Sequence, residues 1–162
     1  MQSITLDAID LQLLDLLQHD AAQSNQALAE RVHVSPPTCL RRVKRLHDVG
    51  LIERQVALLQ PDRLAALQGH GLSAIVEVTL DRQGTEWLDG FEARAVAEDC
   101  VQQCWRVSPG PDFMLVVHTR DMPSYLALSQ RLFTDDANVR NVKAFFATRR
   151  AKFETKVPLA LA

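Results

Sequence analysis

Apolar residues near the start of the chain recur at intervals of three and four positions. Aspartates separate them, and the apolar members are Leu6, Ile9, Leu13, Leu14 and Leu17. This interval is the period of an amphipathic helix, which completes a turn in about 3.6 residues. The pattern therefore predicts a first helix from Leu6 to Leu17.

A second, shorter helix is predicted from about Asn25 to Val32. Ser24 precedes it, and a serine oxygen can accept a hydrogen bond from one of the backbone amides left unpaired at a helix start. His33 and Val34 follow as a short turn. A helix and a two-residue turn therefore lead directly into the next predicted element.

The dipeptide Ser35-Pro36 predicts the start of a third helix. Serine caps unpaired amides, and proline suits the first helical position because its missing N–H would have no partner there. Gly50 readily adopts the left-handed backbone that ends a helix, so this helix is expected from Pro36 to about Val49. Its core-facing side is expected to be an apolar stripe of Leu40, Val43 and Leu46.

A boundary between two domains is predicted after this helix. The stretch from Leu51 to Leu59 predicts short extended segments, such as a small wing or a linker strand. A short helix is expected over Arg63–Gln68, and the break Gly69-His70-Gly71 follows it. We therefore divide the chain into a first domain of residues 1–62 and a second domain of residues 63–162.

Strand and helix patterns alternate in the second domain. The predicted order is strand Leu72–Leu80, helix Thr85–Ala97, strands Val101–Val107 and Phe113–Thr119, helix Met122–Phe133 and strand Val139–Ala147. A βαββαβ order builds an antiparallel ferredoxin-like sheet with both helices on one face. The predicted fold class is therefore α+β, an N-terminal winged helix-turn-helix followed by this domain. The uncovered sheet face would stay partly apolar, which favours self-association.

Charge and cysteine content narrow the class of protein. A net charge of -2 excludes a protein that coats nucleic acid through bulk positive charge. Three cysteines are too few for a disulfide framework, and an odd number suits a reducing compartment, so a cytoplasmic location is expected. No basic leader opens the chain and no apolar run approaches the roughly 20 residues that span a bilayer, so no membrane association is expected.

Basic side chains concentrate in the third predicted helix, where four of them fall within five positions. Arginine hydrogen-bonds guanine or phosphate, and hydroxyls near a helix start bond phosphate or base edges. A helix, a turn and a capped basic helix are what reading of the DNA major groove requires, although such a cluster also occurs as the solvated face of a three-helix bundle. The expected DNA contacts are Ser35, Pro37, Thr38, Arg41, Arg42, Lys44 and Arg45.

No set of residues indicates catalysis. The chain has no glycine-rich phosphate loop and no nucleophile beside an evident base. Cys100 and Cys104, even with His118, offer too few ligands for a structural zinc site and are interpreted as structural thiols. We expect no enzymatic activity, no metal and no cofactor. An enzyme is the alternative class, since ferredoxin-like domains host many activities.

Four stretches together resemble the Lrp/AsnC family of feast/famine regulators. They are Leu6-Asp7-Ala8-Ile9-Asp10 with Leu14, Ala27 to Val32, Val34-Ser35-Pro36 through Arg42 to Leu46, and Gly50-Leu51-Ile52. The resemblance covers nearly the whole chain. It implies a sequence-specific transcriptional regulator of amino-acid metabolism that binds a palindromic site on double-stranded DNA. It also implies a homodimer formed through the second domains, assembling further to a tetramer or octamer, with effector pockets between those domains.

The resemblance also implies an amino-acid effector site, built from Pro109, Gly110, Asp112, Phe113, Asp121, Ala144 and Phe145. In the family, the turn before the third sensor strand carries a glycine, two variable residues, an aspartate and an aromatic residue. Here Pro109 stands at the glycine position and offers no backbone N–H. Asp121 is either an effector contact or the N-cap of the following helix.

Two departures from the family pattern lead to a hypothesis about the effector. Besides Pro109, the last strand has Ala144 and Phe145 where many relatives place small hydroxyl residues. These changes favour a narrower or more apolar pocket, suited to a branched-chain or sulfur-containing amino acid. The alternative is an effector-independent DNA-binding or partner-binding protein that has lost sensing.

Overall fold

The chain forms two compact units in a computed structural model that describes residues 5–69 and 71–160. The helical unit consists of the described residues up to Leu58 together with those from Lys152 onward. The sheet unit is Leu59–Ala151. A division at residue 62 did not anticipate that the C-terminal segment joins the helical unit. His70, part of the predicted break, lies outside the described residues.

The described part of the helical unit has three helices, α1 (Ala8–His19), α2 (Asn25–Arg31) and α3 (Pro36–Asp48). Each lies within about two residues of its predicted bounds. Asp7 fixes the start of α1 through a reciprocal pair of hydrogen bonds: the Asp10 backbone N–H donates to the Asp7 carboxylate at 2.9 Å, and the Asp7 N–H donates to the Asp10 carboxylate at 3.2 Å. Such a capping box satisfies two amides at once, so the helix begins directly after Asp7.

The core of the helical unit corrects the predicted apolar stripe of α3. Its fully buried apolar residues are Leu13, Leu28, Ala29, Val32, Cys39 and Leu46. Leu40 was expected among them but is 60% exposed, whereas Cys39 is completely buried. Cys39 and Leu46 are seven residues apart, close to two full turns, and therefore lie on one side of the helix. Leu40 is rotated by about 100° from Cys39, which places it outside the core.

The segment after Lys152 packs against α1. Lys156 Nζ lies 2.8 Å from the Asp15 carboxylate. The Gln18 side chain accepts a hydrogen bond from the Val157 N–H at 2.6 Å and donates one to the Val157 carbonyl at 3.2 Å. Two hydrogen bonds between the Gln18 side chain and the Val157 backbone, together with the ion pair, therefore hold this segment on α1.

The connection after α3 differs from the predicted wing. Residues 53–60 have no regular secondary structure, and Leu51 and Ile52 form only bends. An extended segment becomes a stable strand only when its backbone groups pair with another strand, and this chain supplies none here among its described residues. Helix α4 (Pro61–Gln68) begins two residues before its predicted start, and Gly69, at φ +84°, ends it in the left-handed conformation.

The sheet unit confirms the βαββαβ order. Its elements are β1 (Leu72–Leu80), α5 (Thr85–Ala97), β2 (Val101–Arg106), β3 (Phe113–Thr119), α6 (Met122–Ser129) and β4 (Val139–Phe146). The strands pair antiparallel in the order β2-β3-β1-β4. A wider π-helical turn, Gln130–Thr134, continues α6. The predicted α+β ferredoxin-like arrangement is therefore present.

One face of this sheet carries the core, and both helices cover it. The core combines alternate residues of β1 and β3 with residues of α5 and α6, including Val76, Leu115, Phe91, Tyr125 and Leu128. Successive strand residues point to opposite faces, so the intervening residues form a second face. Ile75 is at the middle of that face, paired in register with Val116 and Phe145. Ile75, Trp105 and Phe145 are all exposed, as expected for a partly apolar uncovered face.

Candidate nucleic-acid interface and effector site

Helix α3 carries a continuous solvent-facing side, which we call the outward face. It consists of Pro37, Leu40, Arg41 and Lys44, all exposed. These residues are spaced at three, four and seven positions, the intervals that share one side of an α-helix. The core residues Cys39 and Leu46 occupy the opposite side. The packing of the unit therefore leaves the outward face open along the length of α3.

The start of α3 is built differently from the predicted serine cap. Ser35 is the N-cap residue, but its side chain makes no capping hydrogen bond to the backbone. Its Oγ instead lies 2.8 Å from Thr38 Oγ1. Prolines at the first two helical positions remove amides that would need a cap. A contact between two hydroxyls uses only one of their hydrogens, so the other can be donated to a further acceptor.

Arg42 lies at the contact between α3 and α1 instead of on the outward face. Its Nη1 donates hydrogen bonds to the Asp7 carboxylate at 2.7 Å and to the Asp10 carboxylate at 2.8 Å. The Asp10 side chain is almost completely buried, at 1% exposure. The carboxylates of Asp10 and Asp7 raise the pKa of Arg42. The sequence predicted Arg42 as a DNA contact. In the structure its guanidinium group is instead bound by two carboxylates of the same helical unit.

Arg45 is half exposed but also pairs with Asp10. The Asp10 carboxylate therefore receives hydrogen bonds from two of the four cations of α3. Within the described chain, no carboxylate lies within ion-pair distance of the other two, Arg41 and Lys44. The four cations of α3 therefore divide into two sets. Arg42 and Arg45 bind Asp10 and hold α3 on α1, whereas Arg41 and Lys44 face solvent.

Two residues that shape the candidate interface, Asp10 on α1 and Leu40 on α3, were missed by sequence reasoning. Asp10 was assigned no role, although the three-residue spacing of Asp7 and Asp10 before an apolar run is a capping-box signature and marks Asp10 as a residue at the helix start. Leu40 was assigned to the core. The seven-residue interval between Cys39 and Leu46 was the signal that could have moved Leu40 to the outside.

Asp112 and Phe113, predicted effector residues, are both engaged in the sheet unit. The Asp112 carboxylate accepts a hydrogen bond from the Leu80 N–H at 2.7 Å, and its own N–H donates to the Val78 carbonyl at 2.9 Å. The Phe113 side chain is fully buried, with its ring centroid 4.8 Å from that of Phe91. Within this chain, Asp112 ties the turn to β1 and Phe113 fills the core.

The other predicted effector residues lie in three different places. Pro109 and Gly110 are exposed in the turn between β2 and β3, where Gly110 adopts φ +125°. Asp121 is the N-cap of α6, and its carboxylate accepts hydrogen bonds from the Ser124 N–H at 2.9 Å and the Ser124 hydroxyl at 2.6 Å. The neighbours Ala144 and Phe145 face opposite sides of the sheet, since Ala144 packs on the core and Phe145 is exposed. These residues do not converge on one pocket within a single chain.

The cysteines show no metal-binding arrangement. In residues 5–69 and 71–160, no group of three or more His, Cys, Asp or Glu side chains is placed to hold a metal ion. Burial raises the pKa of the Cys39, Cys100 and Cys104 thiols.

None of the described helices is both long and apolar enough to cross a membrane.

Known proteins match both units. Residues 6–47 match the AsnC-type helix-turn-helix domain, and residues 73–157 match the Lrp/AsnC ligand binding domain. An HTH-type transcriptional regulator of Haemophilus influenzae is 36% identical over 96% of this chain and 90% of its own length. The leucine-responsive regulatory protein of Rhizobium meliloti is 35% identical over 96% of this chain and 97% of its own. 

A solved structure matches the whole fold. It is a transcriptional regulator from Neisseria meningitidis in complex with L-Met, with a TM-score of 0.84 and 29% identity, covering 96% of this chain and 98% of that one. The helix-turn-helix match includes α1, α2 and nearly all of α3, so it contains the whole outward face. The ligand-binding match contains all four strands apart from the first residue of β1.

Proposed function

Because the chain belongs to the Lrp/AsnC family of transcriptional regulators, we propose that it regulates amino-acid metabolism and that an amino acid modulates its DNA binding. Members of this family are DNA-binding regulators and not enzymes. We further propose which face of α3 contacts DNA, which class of amino acid binds, and how the subunits assemble.

The outward face of α3 carries the DNA-binding part of the proposal. In a helix-turn-helix the second helix of the motif enters the major groove, and here that helix is α3. Arg41 and Lys44 extend from it without an intramolecular carboxylate partner in the described chain, so their charges remain available to phosphate or guanine. This observation supports α3 as the reading helix more directly than the count of basic residues does.

The proposed DNA contacts fall into two groups. Arg41, Lys44 and Pro37 on the outward face meet the groove, and the hydroxyls of Ser35 and Thr38 at the start of α3 supply donors for phosphate oxygens. Arg42 and Arg45 act as positioning residues, because their bonds to Asp10 fix how α3 sits on α1. Arg45, half exposed, additionally reaches phosphate from the edge of the helix.

The proposed effector is a branched-chain or sulfur-containing amino acid. Two relatives support an amino-acid ligand by name, since one is a leucine-responsive regulatory protein and another was solved in complex with L-Met. The predicted effector residues do not meet within one chain, so the proposed pocket lies between the sheet units of two copies. Phe145, exposed on the uncovered sheet face, and Pro109, exposed in the turn, give the proposed pocket an apolar lining. Ala144 lies behind Phe145 on the core-facing side of β4.

The uncovered sheet face supports a homodimer. Ile75, Trp105 and Phe145 expose apolar surface there, and the ion pair of Glu77 and Lys143 lies on the same face. Monomeric proteins seldom leave a contiguous apolar face open to water. We propose a dimer through this face that assembles further to a tetramer or octamer, acts in the cytoplasm and binds a palindromic operator.

Thermal unfolding with added amino acids tests the effector. A ligand that binds only the folded protein raises its apparent stability, so leucine, isoleucine, valine or methionine should raise the Tm, and aspartate and glutamine should not. A preference for charged or amide amino acids contradicts the apolar pocket. A Tm that no amino acid shifts, together with intact DNA binding, supports the second candidate, an effector-independent regulator. That candidate is favoured by Pro109, which cannot donate the backbone hydrogen bond of the usual glycine turn.

A further inference from the structure

Leu40 is an exposed apolar residue beside two exposed cations, Arg41 and Lys44. It is 60% exposed on the outward face, in a helix whose core side is completed by Cys39 and Leu46. Burying a leucine side chain fully stabilises a protein, so this side chain contributes little to the helical unit in its present position. Packing within the helical unit therefore does not account for a leucine at this position.

The neighbours of Leu40 specify what can cover it. Arg41 follows it directly, and Pro37 and Lys44 lie about one turn away on either side. A partner must therefore present negative charge to Arg41 and Lys44 and an apolar group beside those charges. Two copies that met through this same patch would bring their like-charged Arg41 and Lys44 side chains together, which is unfavourable.

The major groove of DNA offers the required combination. Phosphates line its rims, and the C5-methyl group of thymine is the apolar feature exposed on its floor. Cytosine lacks this methyl group, so an apolar side chain on a reading helix distinguishes the two pyrimidines. Leucine reaches far enough from a helix axis to make such a contact while the flanking cations bind phosphate or guanine.

We propose that Leu40 contacts a thymine methyl group in each operator half-site and is a specificity-determining residue. The proposal rests on the proposed DNA-binding function of α3. It adds to that function a particular base chemistry, recognition of one methyl group, and assigns it to one side chain.

Replacing thymine by deoxyuridine tests the contact, because it removes only the methyl group. Operator DNA is first selected from a random-sequence pool by the full-length protein, and each thymine is then replaced singly. For the wild type, one position per half-site should weaken binding by about fourfold, the factor expected for one methyl-sized apolar group. The Leu40→Ala variant should be insensitive to deoxyuridine at that position and sensitive elsewhere like the wild type.

A matched control separates this contact from general effects of losing a leucine. Leu67 is also an exposed helical leucine, at 85%, but lies on α4. Leu67→Ala should keep the wild-type response at every thymine. Equal Tm values for the wild type and both variants establish that all three are folded.

The possible results distinguish failure of the Leu40 contact from failure of the proposed DNA-binding function. If DNA is selected but deoxyuridine weakens the wild type and Leu40→Ala equally at every thymine, the Leu40 contact is wrong and the DNA-binding function stands. If Leu40→Ala changes the oligomeric state and leaves DNA recognition unchanged, Leu40 belongs to a contact between copies. If no DNA is selected, the proposed function fails and the Leu40 contact fails with it.

Discussion

The Arg42 guanidinium donates a 2.8 Å hydrogen bond to the buried carboxylate of Asp10 and so joins α3 to α1. This bond divides the basic cluster of α3 by function. Cations that point toward α1 neutralise Asp10, and cations that point away from it face solvent. The orientation of α3, the proposed reading helix, therefore depends on an ion pair that makes no contact with DNA in the proposed complex.

Loss of Arg42 should destabilise the helical unit. Arg42→Ala removes one of the two guanidinium groups that bond the buried Asp10 carboxylate and leaves Arg45 as the other, so it should lower the free energy of unfolding by about 2 kcal/mol. Arg41→Ala is the matched control, because Arg41 is exposed, and it should change stability by less than about 0.5 kcal/mol. Urea unfolding measures both. Equal effects would show that the Arg42 bond does not hold α3 in place.

The contact between the C-terminal segment and α1 should weaken in acid. The hydrogen bond from Lys156 holds the pKa of Asp15 below its usual value. Because the pKa is lower in the folded than in the unfolded chain, the ion pair stabilises the contact above the unfolded aspartate pKa, about 3.9, and this stabilisation is lost as pH falls through the folded value. Carboxyl NMR should show the Asp15 pKa rising in Lys156→Ala.

Lys152→Ala provides the comparison for this experiment. Lys152 lies beside the same groove as Asp15. Lys156, and not Lys152, supplies the hydrogen bond that lowers the Asp15 pKa. Lys152→Ala should leave the Asp15 titration unchanged. An Asp15 pKa that is the same in wild type and Lys156→Ala contradicts the contact.

The three thiols should react in a fixed order. The thiolate is the reactive form, and burial raises the pKa of all three cysteines. Cys39 is fully buried and should react with a thiol reagent at neutral pH only when the protein unfolds. Cys100 and Cys104, half-buried, should react slowly in the native state. Rapid native labelling of Cys39, identified by mass spectrometry, is inconsistent with its place in the core.

A charge on the uncovered sheet face should separate the subunits. Trp105→Glu and Phe145→Glu place a carboxylate on the proposed dimer surface, where burial without a partner is costly. Sedimentation should show monomers at concentrations where the wild type is a dimer or larger. Val96→Glu, an exposed position on α5 in the helix layer, should keep the wild-type assembly. Unchanged assembly in all three variants rules out this face as the interface.

Residues with a regular periodic pattern were predicted closely, and residues placed by long-range contacts were not. The bounds of β1, α5 and β3 agree with the prediction. Apolar and polar residues alternate along most of β1, apolar residues recur at roughly helical spacing in α5, and β3 begins directly after the turn-forming run that ends at Asp112. Arg42 and Arg41 are adjacent and chemically identical, and what distinguishes their roles is the position of two carboxylates far earlier in the chain, Asp7 and Asp10. The C-terminal segment has no periodic pattern, and its contact with α1 depends on Asp15 and Gln18 far along the chain.

Operator binding across a salt series tests most directly whether the outward face of α3 reads DNA. Each phosphate contact contributes about 0.9 to the slope of log affinity against log salt, so Arg41→Ala/Lys44→Ala should bind more weakly with a slope smaller by up to roughly two. The double variant should unfold at the wild-type Tm, since neither residue pairs with a carboxylate in the described chain. Wild-type affinity and slope in that variant would contradict the assignment of α3 as the reading helix.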